Sequence, residues 1–456
     1  MHFDEDNLNN VLLTISLYVN HQSVFEKGEM SKITISETRD YFLKRGEKFF
    51  YLADTCWSAF TNPTYEEWEY YLEYRRMQGF NALQINMLPQ HDRSPSENYI
   101  DPFEVLPDGG WDFSRRNEKY FDRAEKMVEM AGEHGFTPAL VVLWCNYVKG
   151  TWGSKINPSK IIPRDRLEEY VSYVAERYGK YNPIFIISGD TNFEAEDSVD
   201  YYNSAFETVK KISPGSLTTM HLMGGLWEIP GALVKSPNYD FYMYQSGHSR
   251  EHQHLPYELA QRFYNMPVKR PVVNGEPCYE GIGSIGSYSK YGRFSSFDVR
   301  KAVWQSLLSG AKAGVTYGAH GIWSWQKEYE YPMEYAKVYG APYHWATALR
   351  FPGAFDVAFA KWVFEKYDLF DIKPANDKLL NETTEVRVAE GKDKMLVYTP
   401  FSTKIKLKID EPYNKWEGID LESRRVFKPV LEKTENFLEI KMVGFNNDLL
   451  IIGSKT

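Results

Sequence analysis

The sequence predicts an α/β protein, a (β/α)8 TIM barrel followed by a small antiparallel β-sandwich. Eight short apolar runs follow one another between about Gly46 and Phe351, with polar loops and amphipathic helices between them. After about Phe370 the apolar runs become short and β-rich, turn residues separate them, and the helical periodicity ends. The first pattern is typical of a parallel barrel and the second of a sandwich.

The predicted barrel strands are apolar along their whole length, as expected for parallel strands that helices cover. They are Phe49–Ala53, Ala82–Met87, Pro138–Leu143, Ile184–Ile187, Leu217–Leu222, Tyr239–Tyr244, Pro271–Asn274 and Gly314–Gly318. A doubly wound sheet is the alternative. It rarely needs eight consecutive units, and no G-x-G-x-x-G follows the first strand.

Helix signals lie between these runs. Thr64 and Glu67 form a T-x-x-E capping box before a helix over Tyr65–Gln78, and Gly79 supplies its C-terminal stop. Three further helices are predicted from similar signals, over Lys119–His134, Arg164–Tyr178 and Asp298–Lys312.

The chain therefore divides into three predicted parts. Residues 1–36 carry two candidate strands, Leu12–Val19 and Ile33–Ser36, which either join the sandwich or cap the barrel base. Residues 37–369 form the barrel, and residues 370–456 form the sandwich. The sandwich strands are predicted at Thr384–Val388, Met395–Tyr398, Ile405–Ile409, Phe437–Met442 and Leu449–Ile452.

Composition excludes several classes of function. The chain has 62 acidic and 53 basic residues and a net charge of −9, which argues against nucleic acid as a partner. Three cysteines are too few for a disulfide framework and match no zinc spacing. The acidic start MHFDEDNLNN is unlike a signal peptide, and no apolar run is long enough to span a membrane. We predict a cytoplasmic protein, and the oligomeric state is left open.

Aromatic residues are unusually frequent, at 16% of the chain, with 33 Tyr, 27 Phe and 12 Trp. Either a large aromatic core or a concave site lined with flat rings would account for this excess. Composition alone does not choose between them.

Two carboxylates directly follow apolar strands. Asp190 ends the run IFIISGD, Glu276 ends the run PVVNGE, and neither has an adjacent Lys or Arg. In a TIM barrel the catalytic groups lie at the C-terminal ends of the strands, so the two are expected to face one site. Glycoside hydrolysis uses such a pair, one carboxylic acid as proton donor and one carboxylate as nucleophile or base. Helix capping or pairing with a barrel arginine is the structural alternative for each residue.

Other polar and aromatic residues lie on or directly after the predicted strands, and we expect them to bind substrate. The residues expected to hydrogen-bond sugar hydroxyls are Asp54, Gln84, Asn86, Asn192, His221, Tyr244 and His320. The indoles expected to stack on sugar faces are Trp57, Trp144 and Trp323.

No metal or cofactor is predicted. The tract His248-Ser-Arg-Glu-His252-Gln-His254 has enough imidazoles for a metal, but it is interpreted as a solvated loop with one substrate-facing histidine. The sequence contains no H-E-x-x-H, no P-loop and no G-x-S-x-G nucleophile elbow.

Five segments resemble the apiosidase-like catalytic domain of glycoside hydrolase family 140 and its relatives, over about Ile33–Phe351. They are FFYLADTCWSAF, YRRMQGFNALQIN, IFIISGDTNFE, PVVNGEPCYEG and GVTYGAHGIWSW. The resemblance implies a retaining, clan-A-like glycosidase of a plant-type or other oligosaccharide or glycoside. It also implies that Asp190 after strand four is the acid/base and that Glu276 after strand seven is the nucleophile.

One departure from the clan pattern keeps a second acid/base candidate open. Many clan members place a Glu after an Asn at strand four, whereas this chain has Gly189-Asp190, with Glu194 four residues later. Apiose is one option for the sugar, and the linkage is not given. A non-catalytic carbohydrate-binding barrel or scaffold is the alternative function, and a metal-dependent hydrolase that uses the His248–His254 tract is a third.

Overall fold

The computed structural model describes residues 31–327, 337–410, 412–434, 437–441 and 447–455. The predicted strand Leu12–Val19 lies outside these ranges. Within them, none of the helices combines the length and the apolar character that a membrane span requires.

The first described strands form a small antiparallel sheet at the N-terminal side of the barrel. They are β1 (Ile33–Ile35), β2 (Phe42–Lys44) and β3 (Glu47–Phe49). Phe42 packs edge-on against Phe241 and Tyr51, both in barrel strands, with ring centroids 5.0 and 6.5 Å apart. This sheet therefore covers the barrel base, one of the two placements left open by the sequence.

Eight parallel strands close into a barrel. In chain order the next strands are β4 (Tyr51–Thr55), β5 (Ala82–Asn86), β6 (Phe103–Val105), β7 (Trp111–Arg116), β8 (Thr137–Trp144), β9 (Ile184–Gly189), β10 (Thr218–His221), β11 (Phe241–Gln245), β12 (Val272–Glu276) and β13 (Gly314–Tyr317). β6 and β7 pair with each other in the loop that follows β5, and the other eight form the barrel. Each barrel strand is buried along its whole length and coincides with a predicted apolar run. The predicted fold class is confirmed.

Helices follow most of the barrel strands. They are α1 (Tyr65–Gln78), α2 (Glu118–Glu133), α3 (Arg164–Tyr178), α4 (Glu196–Ile212), α5 (Gly231–Lys235), α6 (Leu255–Tyr264), α7 (Tyr288–Tyr291), α8 (Ser296–Leu308), α9 (Trp345–Ala348) and α10 (Gly353–Lys366). The bounds of α1 are those predicted from its end signals. The Glu67 amide donates a hydrogen bond to Thr64 Oγ1 at 3.2 Å, and the Thr64 amide donates one to the Glu67 carboxylate at 2.8 Å. Gly79 ends the helix with a left-handed φ of 97°.

The C-terminal part is a two-sheet sandwich. Its strands are β14 (Lys373–Pro374), β15 (Arg387–Glu390), β16 (Lys394–Thr399), β17 (Ile405–Leu407), β18 (Lys415–Asp420), β19 (Val426–Phe427), β20 (Val430–Lys433), β21 (Leu438–Lys441) and β22 (Leu449–Ser454). One sheet has the order β14-β15-β16-β22-β18-β19 and the other β17-β21-β20. Four of these strands, β14, β18, β19 and β20, were not predicted, and β15 begins three residues later than expected.

Alternate residues of the larger sheet face two different cores. Val397 and Ile451 pack inside the sandwich, whereas Leu396 and Ile452 belong to the barrel's core. Because side chains alternate across a strand, this sheet lies between the smaller sheet and the barrel helices. The sandwich is thus packed onto the barrel through apolar side chains.

A buried ion-pair network crosses the same junction. The Arg300 guanidinium, on α8, donates to Asp448 at 2.6 Å and to Asp356, on α10, at 2.8 Å, and all three side chains are at least nine-tenths buried. Removing one partner would leave an unpaired buried charge, which costs far more than losing an exposed pair.

We expect Asp448→Ala to lower the free energy of unfolding by about 3–5 kcal/mol. The control is Glu432→Gln, which removes an exposed pair with Lys441 in the same sandwich and should cost at most about 1 kcal/mol. Urea unfolding followed by tryptophan fluorescence measures both. Equal shifts in the two variants would contradict a structural role for the buried network.

Candidate active site

One cavity of about 620 Å³ opens at the C-terminal ends of the barrel strands. Both predicted catalytic carboxylates, Asp190 and Glu276, line it, as do all three predicted indoles, Trp57, Trp144 and Trp323. The closed barrel brings these residues together because parallel strands end on the same rim. The cavity therefore holds the acid pair and the aromatic walls in one place.

Glu276, the last residue of β12, has three polar side chains around its carboxylate. Its Oε1 accepts hydrogen bonds from Gln245 Nε2 at 2.8 Å and His248 Nε2 at 2.9 Å, and its Oε2 lies 3.2 Å from His221 Nε2. Burial alone would raise the pKa of this carboxyl. The histidine contacts outweigh burial and lower the pKa of Glu276 to about 2.

Backbone amides orient both histidines. The Asp190 amide donates to His221 Nδ1, and the Tyr279 amide donates to His248 Nδ1, each at 3.2 Å. A ring nitrogen that accepts a hydrogen bond carries no proton, so each neutral imidazole carries its proton on Nε2. In this tautomer His248 donates its Nε2 proton to Glu276, and His221 Nε2 faces the other carboxylate oxygen.

The pKa of Asp190 is shifted in the opposite direction. Burial, the negative charge of Glu276 and that of Asp92 together raise the pKa of Asp190 well above 3.8. No side chain in the described part of the chain hydrogen-bonds its carboxyl group, which lines the cavity. The pKa values of Asp190 and Glu276 are therefore shifted in opposite directions.

The backbone at Asp190 is left-handed, with φ of 48°. Two hydrogen bonds hold this turn: the Asp190 amide donates to His221, and Trp152 Nε1 donates to the Asp190 carbonyl at 2.7 Å. Asp is among the few residues that tolerate this conformation. The turn ends β9 and places the carboxyl group at the cavity wall.

The aromatic wall is built from interlocking rings. Trp57 packs edge-on against Trp144 with centroids 5.0 Å apart, and its Nε1 donates to the Tyr279 hydroxyl at 3.1 Å. On the other side, Trp323 Nε1 donates to His320 Nδ1 at 3.1 Å. Burial lowers the pKa of His320 to about 3, so the ring is neutral and can accept this bond. The indoles are fixed in place rather than free to rotate.

Seven of the predicted substrate-binding residues do not line the cavity. Asp54 is fully buried in an ion pair with Arg75 at 2.6 Å and accepts a hydrogen bond from Tyr71. Gln84 donates to the Gly275 carbonyl and Asn86 to Gln90. Each of these three side chains is buried and already has a partner within the protein.

The other four support the site or lie beside it. His221 and His320 act on Glu276 and Trp323, as described above. The Tyr244 hydroxyl donates a hydrogen bond to the Pro256 carbonyl, on the helix side of its strand. The Asn192 side-chain oxygen accepts a hydrogen bond from the Trp152 amide. The alternative acid Glu194 is exposed, pairs with Lys155 at 2.7 Å and lies outside the cavity lining.

Several lining residues were not among the predicted site residues. Gln245 and His248 follow the predicted sixth strand, so their position at a strand end could have identified them as site residues. Asp92, Trp152 and Trp227 lie on long loops whose path the sequence does not specify. His252 and His254 line the cavity with His248, so the tract has more than the one cavity-facing histidine expected.

Within the described ranges, the only side chains that converge as a possible metal-ligand group are Glu69, Glu73 and His134. They lie on or beside α1 and α2 and are not part of the cavity lining. The cavity's own chemistry is that of two carboxyl groups whose pKa values are shifted in opposite directions, between aromatic walls.

Gly189 allows the Trp144 ring to approach the end of β9, because a Cβ at this position would overlap the indole. We expect Gly189→Ala to displace Trp144 and to lower stability by about 1–3 kcal/mol. Gly231→Ala is the control, since a Cβ there meets no atom within 4 Å. Thermal unfolding and near-UV circular dichroism measure both changes, and an unperturbed Gly189→Ala variant would contradict this packing.

Comparison with known proteins places the chain in a family. The sequence-family model of the apiosidase-like catalytic domain matches residues 36–371 of this chain. No curated protein matches the chain. A solved structure described as a glycoside hydrolase is 22% identical, with a TM-score of 0.78 over 93% of this chain and 97% of that one. A glycoside hydrolase family 5 structure from Bacteroides vulgatus is 20% identical, with a TM-score of 0.77 over 93% of each chain. At these identities the two structures show a shared fold.

Proposed function

Because the chain belongs to the apiosidase-like family and is by homology a glycoside hydrolase, we propose that it cleaves glycosidic bonds with retention of configuration. Glu276 is the nucleophile and Asp190 is the acid/base in this proposal. One observation carries it: the two carboxyl groups line the same cavity with pKa values shifted in opposite directions. Retaining glycosidases need this combination of an ionised nucleophile and a protonated acid.

In the first step, an ionised Glu276 oxygen attacks the anomeric carbon of the bound sugar. Asp190 donates its proton to the glycosidic oxygen as the bond to the leaving group breaks. The product is a glycosyl ester of Glu276, and the leaving group departs as an alcohol. Gln245, His221 and His248 orient the attacking carboxylate, which limits the geometries it can adopt.

The second step uses the electrostatic coupling between the two acids. Once Glu276 is an ester, its negative charge no longer raises the pKa of Asp190. Asp190, now ionised, accepts a proton from a water molecule that attacks the anomeric carbon. Glu276 leaves as a carboxylate, and its returning charge favours the protonated form of Asp190 again.

The substrate is a glycoside or an oligosaccharide, of plant type or otherwise. Trp57, Trp144 and Trp323 offer apolar surfaces to the C–H faces of a sugar, where burial of both surfaces favours binding. A retaining mechanism predicts that the two carboxyl groups lie about 5–5.5 Å apart, against about 6.5–9.5 Å for inversion.

Glu276→Gln keeps the size of the side chain but replaces one carboxylate oxygen with an amide NH2 group and so removes the nucleophile. We expect turnover of an activated aryl glycoside to fall by at least about 10⁴-fold. Released aryl alcohol measured by absorbance gives the rate. Turnover near that of the unmodified enzyme would eliminate Glu276 as the nucleophile, and sugar binding without hydrolysis by the unmodified protein would favour the non-catalytic function.

Asp190→Asn tests the acid/base. For a glycoside with a poor leaving group we expect kcat/KM to fall by about 10²–10⁴-fold, with a smaller loss for an activated one. Azide, which needs no general base, should rescue the activated substrate and give a glycosyl azide of retained configuration. Glu194→Gln is the matched control, and a larger loss in that variant would assign proton transfer to Glu194.

The pKa shifts also set the pH profile. Activity needs Glu276 ionised and Asp190 protonated, so kcat/KM falls at low pH through a pKa of about 2 and at high pH through the raised pKa of Asp190. His248→Ala removes one hydrogen bond to the carboxylate and should raise the acidic pKa by about one unit or more. His134→Ala, outside the cavity, should leave it unchanged, and an unshifted acidic limb in His248→Ala would contradict the role given to His248.

A further inference from the structure

A second cavity, of about 320 Å³, adjoins the catalytic one on the same rim of the barrel. Gln90 and His91 line both cavities and form the wall between them. The loops after β5 and β8 build it and are tied together by a hydrogen bond of 2.5 Å from the Tyr147 hydroxyl to the Pro89 carbonyl. A ligand in this cavity would lie next to a molecule held in the catalytic cavity.

Two cations face this second cavity. The Arg93 guanidinium lies 3.8 Å from the centre of the Tyr99 ring, and Lys160 Nζ lies 4.3 Å from the centre of the Trp111 ring. In the described part of the chain neither cation has a carboxylate within ion-pair distance, unlike Lys155 and Arg164 in neighbouring segments. Both side chains are half-buried, so solvent screens them less than it does surface lysines.

The negative charge nearby does not fully neutralise Arg93 and Lys160. Burial and the positive charge of Arg93 lower the pKa of Lys160, and the attraction of Asp101 opposes them. Asp101 already accepts hydrogen bonds from Tyr99 and Trp111 beneath the cavity, at 2.7 and 2.9 Å. An anion in the cavity would offset the repulsion between the two cations.

The cavity also presents a buried acceptor. Asn146 is 1% exposed and lines the cavity, and its Oδ1 has no hydrogen-bond partner among the described residues. A buried acceptor without a partner costs about 1–3 kcal/mol, so a ligand hydroxyl that donates to it would bind favourably. Trp111 and Tyr147, stacked with centroids 5.5 Å apart, form an apolar floor beside it. A free inorganic anion would use the cations but neither the acceptor nor the floor.

We propose that this second cavity is a subsite for a sugar unit that carries an anionic substituent, either a carboxylate or a sulfate ester. Arg93 and Lys160 bind the anionic group, and Asn146 accepts a ring hydroxyl. The inference rests on the proposed function, since it assumes that the adjoining cavity cleaves the glycoside to which this unit belongs. Substrates are then oligosaccharides that span both cavities.

The test is binding of small probes to the full-length protein, measured by ligand-observed NMR titration. The probes are glucuronic acid, glucose 6-sulfate, glucose and inorganic sulfate. We expect at least one of the two anionic sugars to bind about tenfold more tightly than glucose and than inorganic sulfate. Glucuronic acid alone would assign a carboxylate, glucose 6-sulfate alone a sulfate ester, and both together the shared anionic chemistry.

Variants locate the binding. Arg93→Gln combined with Lys160→Gln should remove the preference for the anionic sugar, and Lys160→Gln alone should weaken it if the double variant does not fold. Lys155→Gln is the matched control, because Lys155 is an exposed lysine nearby that does not line the cavity. Equal affinities for glucose and both anionic sugars, or an unchanged preference in the double variant, would overturn the proposal. If inorganic sulfate bound as tightly as glucose 6-sulfate, the cavity would be an anion site that does not recognise a sugar, and the proposal would fail.

These outcomes are independent of catalysis, because the readout is binding rather than turnover. If Glu276→Gln remained active while the anionic sugars bound as expected, the nucleophile assignment would fail and the subsite would stand. If Glu276→Gln lost activity while no probe distinguished the double variant, the subsite would fail and the catalytic assignment would stand.

Discussion

The contacts that Gln245, His221 and His248 make with the Glu276 carboxylate are the interaction on which the site depends. Without them, burial alone would raise the pKa of the carboxyl group at the end of β12. With them, the pKa of Glu276 is lowered, and its negative charge contributes to the raised pKa of Asp190. Each histidine is in turn oriented by a backbone amide, so these contacts follow from the folded main chain.

The barrel supplies this arrangement because its strands are parallel and closed. His221, Gln245 and Glu276 come from β10, β11 and β12, which are neighbours in the barrel, and their last residues meet at one rim. Other polar side chains of the barrel strands bond elsewhere in the protein: Gln84, on β5, donates to the Gly275 carbonyl on β12, and Asp54, on β4, pairs with Arg75 on α1. Only some of the polar residues at the strand ends therefore face the cavity.

The aromatic residues also divide into those that line the catalytic cavity and those that do not. Many rings are buried away from the cavity, such as Trp68 and Tyr71 on α1, which stack on each other, and Trp304, which stacks on Tyr398 where the sandwich meets the barrel. A minority, including Trp57, Trp144 and Trp323, lines the catalytic cavity. The composition reflects mainly the size of the core, and the position of each ring decides whether it can meet a ligand.

The sequence by itself determined the eight barrel strands, the ends of α1 and the position of Asp190 and Glu276 at strand ends, because apolar runs, capping residues and strand ends are local signals. It did not distinguish Asp54 from Trp57, which lie three residues apart, since the burial of Asp54 depends on Arg75, 21 residues further along the chain. It also missed β14, β18, β19 and β20, whose formation depends on pairing with partner strands. Only the tertiary structure placed His248 on Glu276 and joined Arg93, Lys160 and Asn146 around a second cavity, because long loops bring these residues together across the barrel rim.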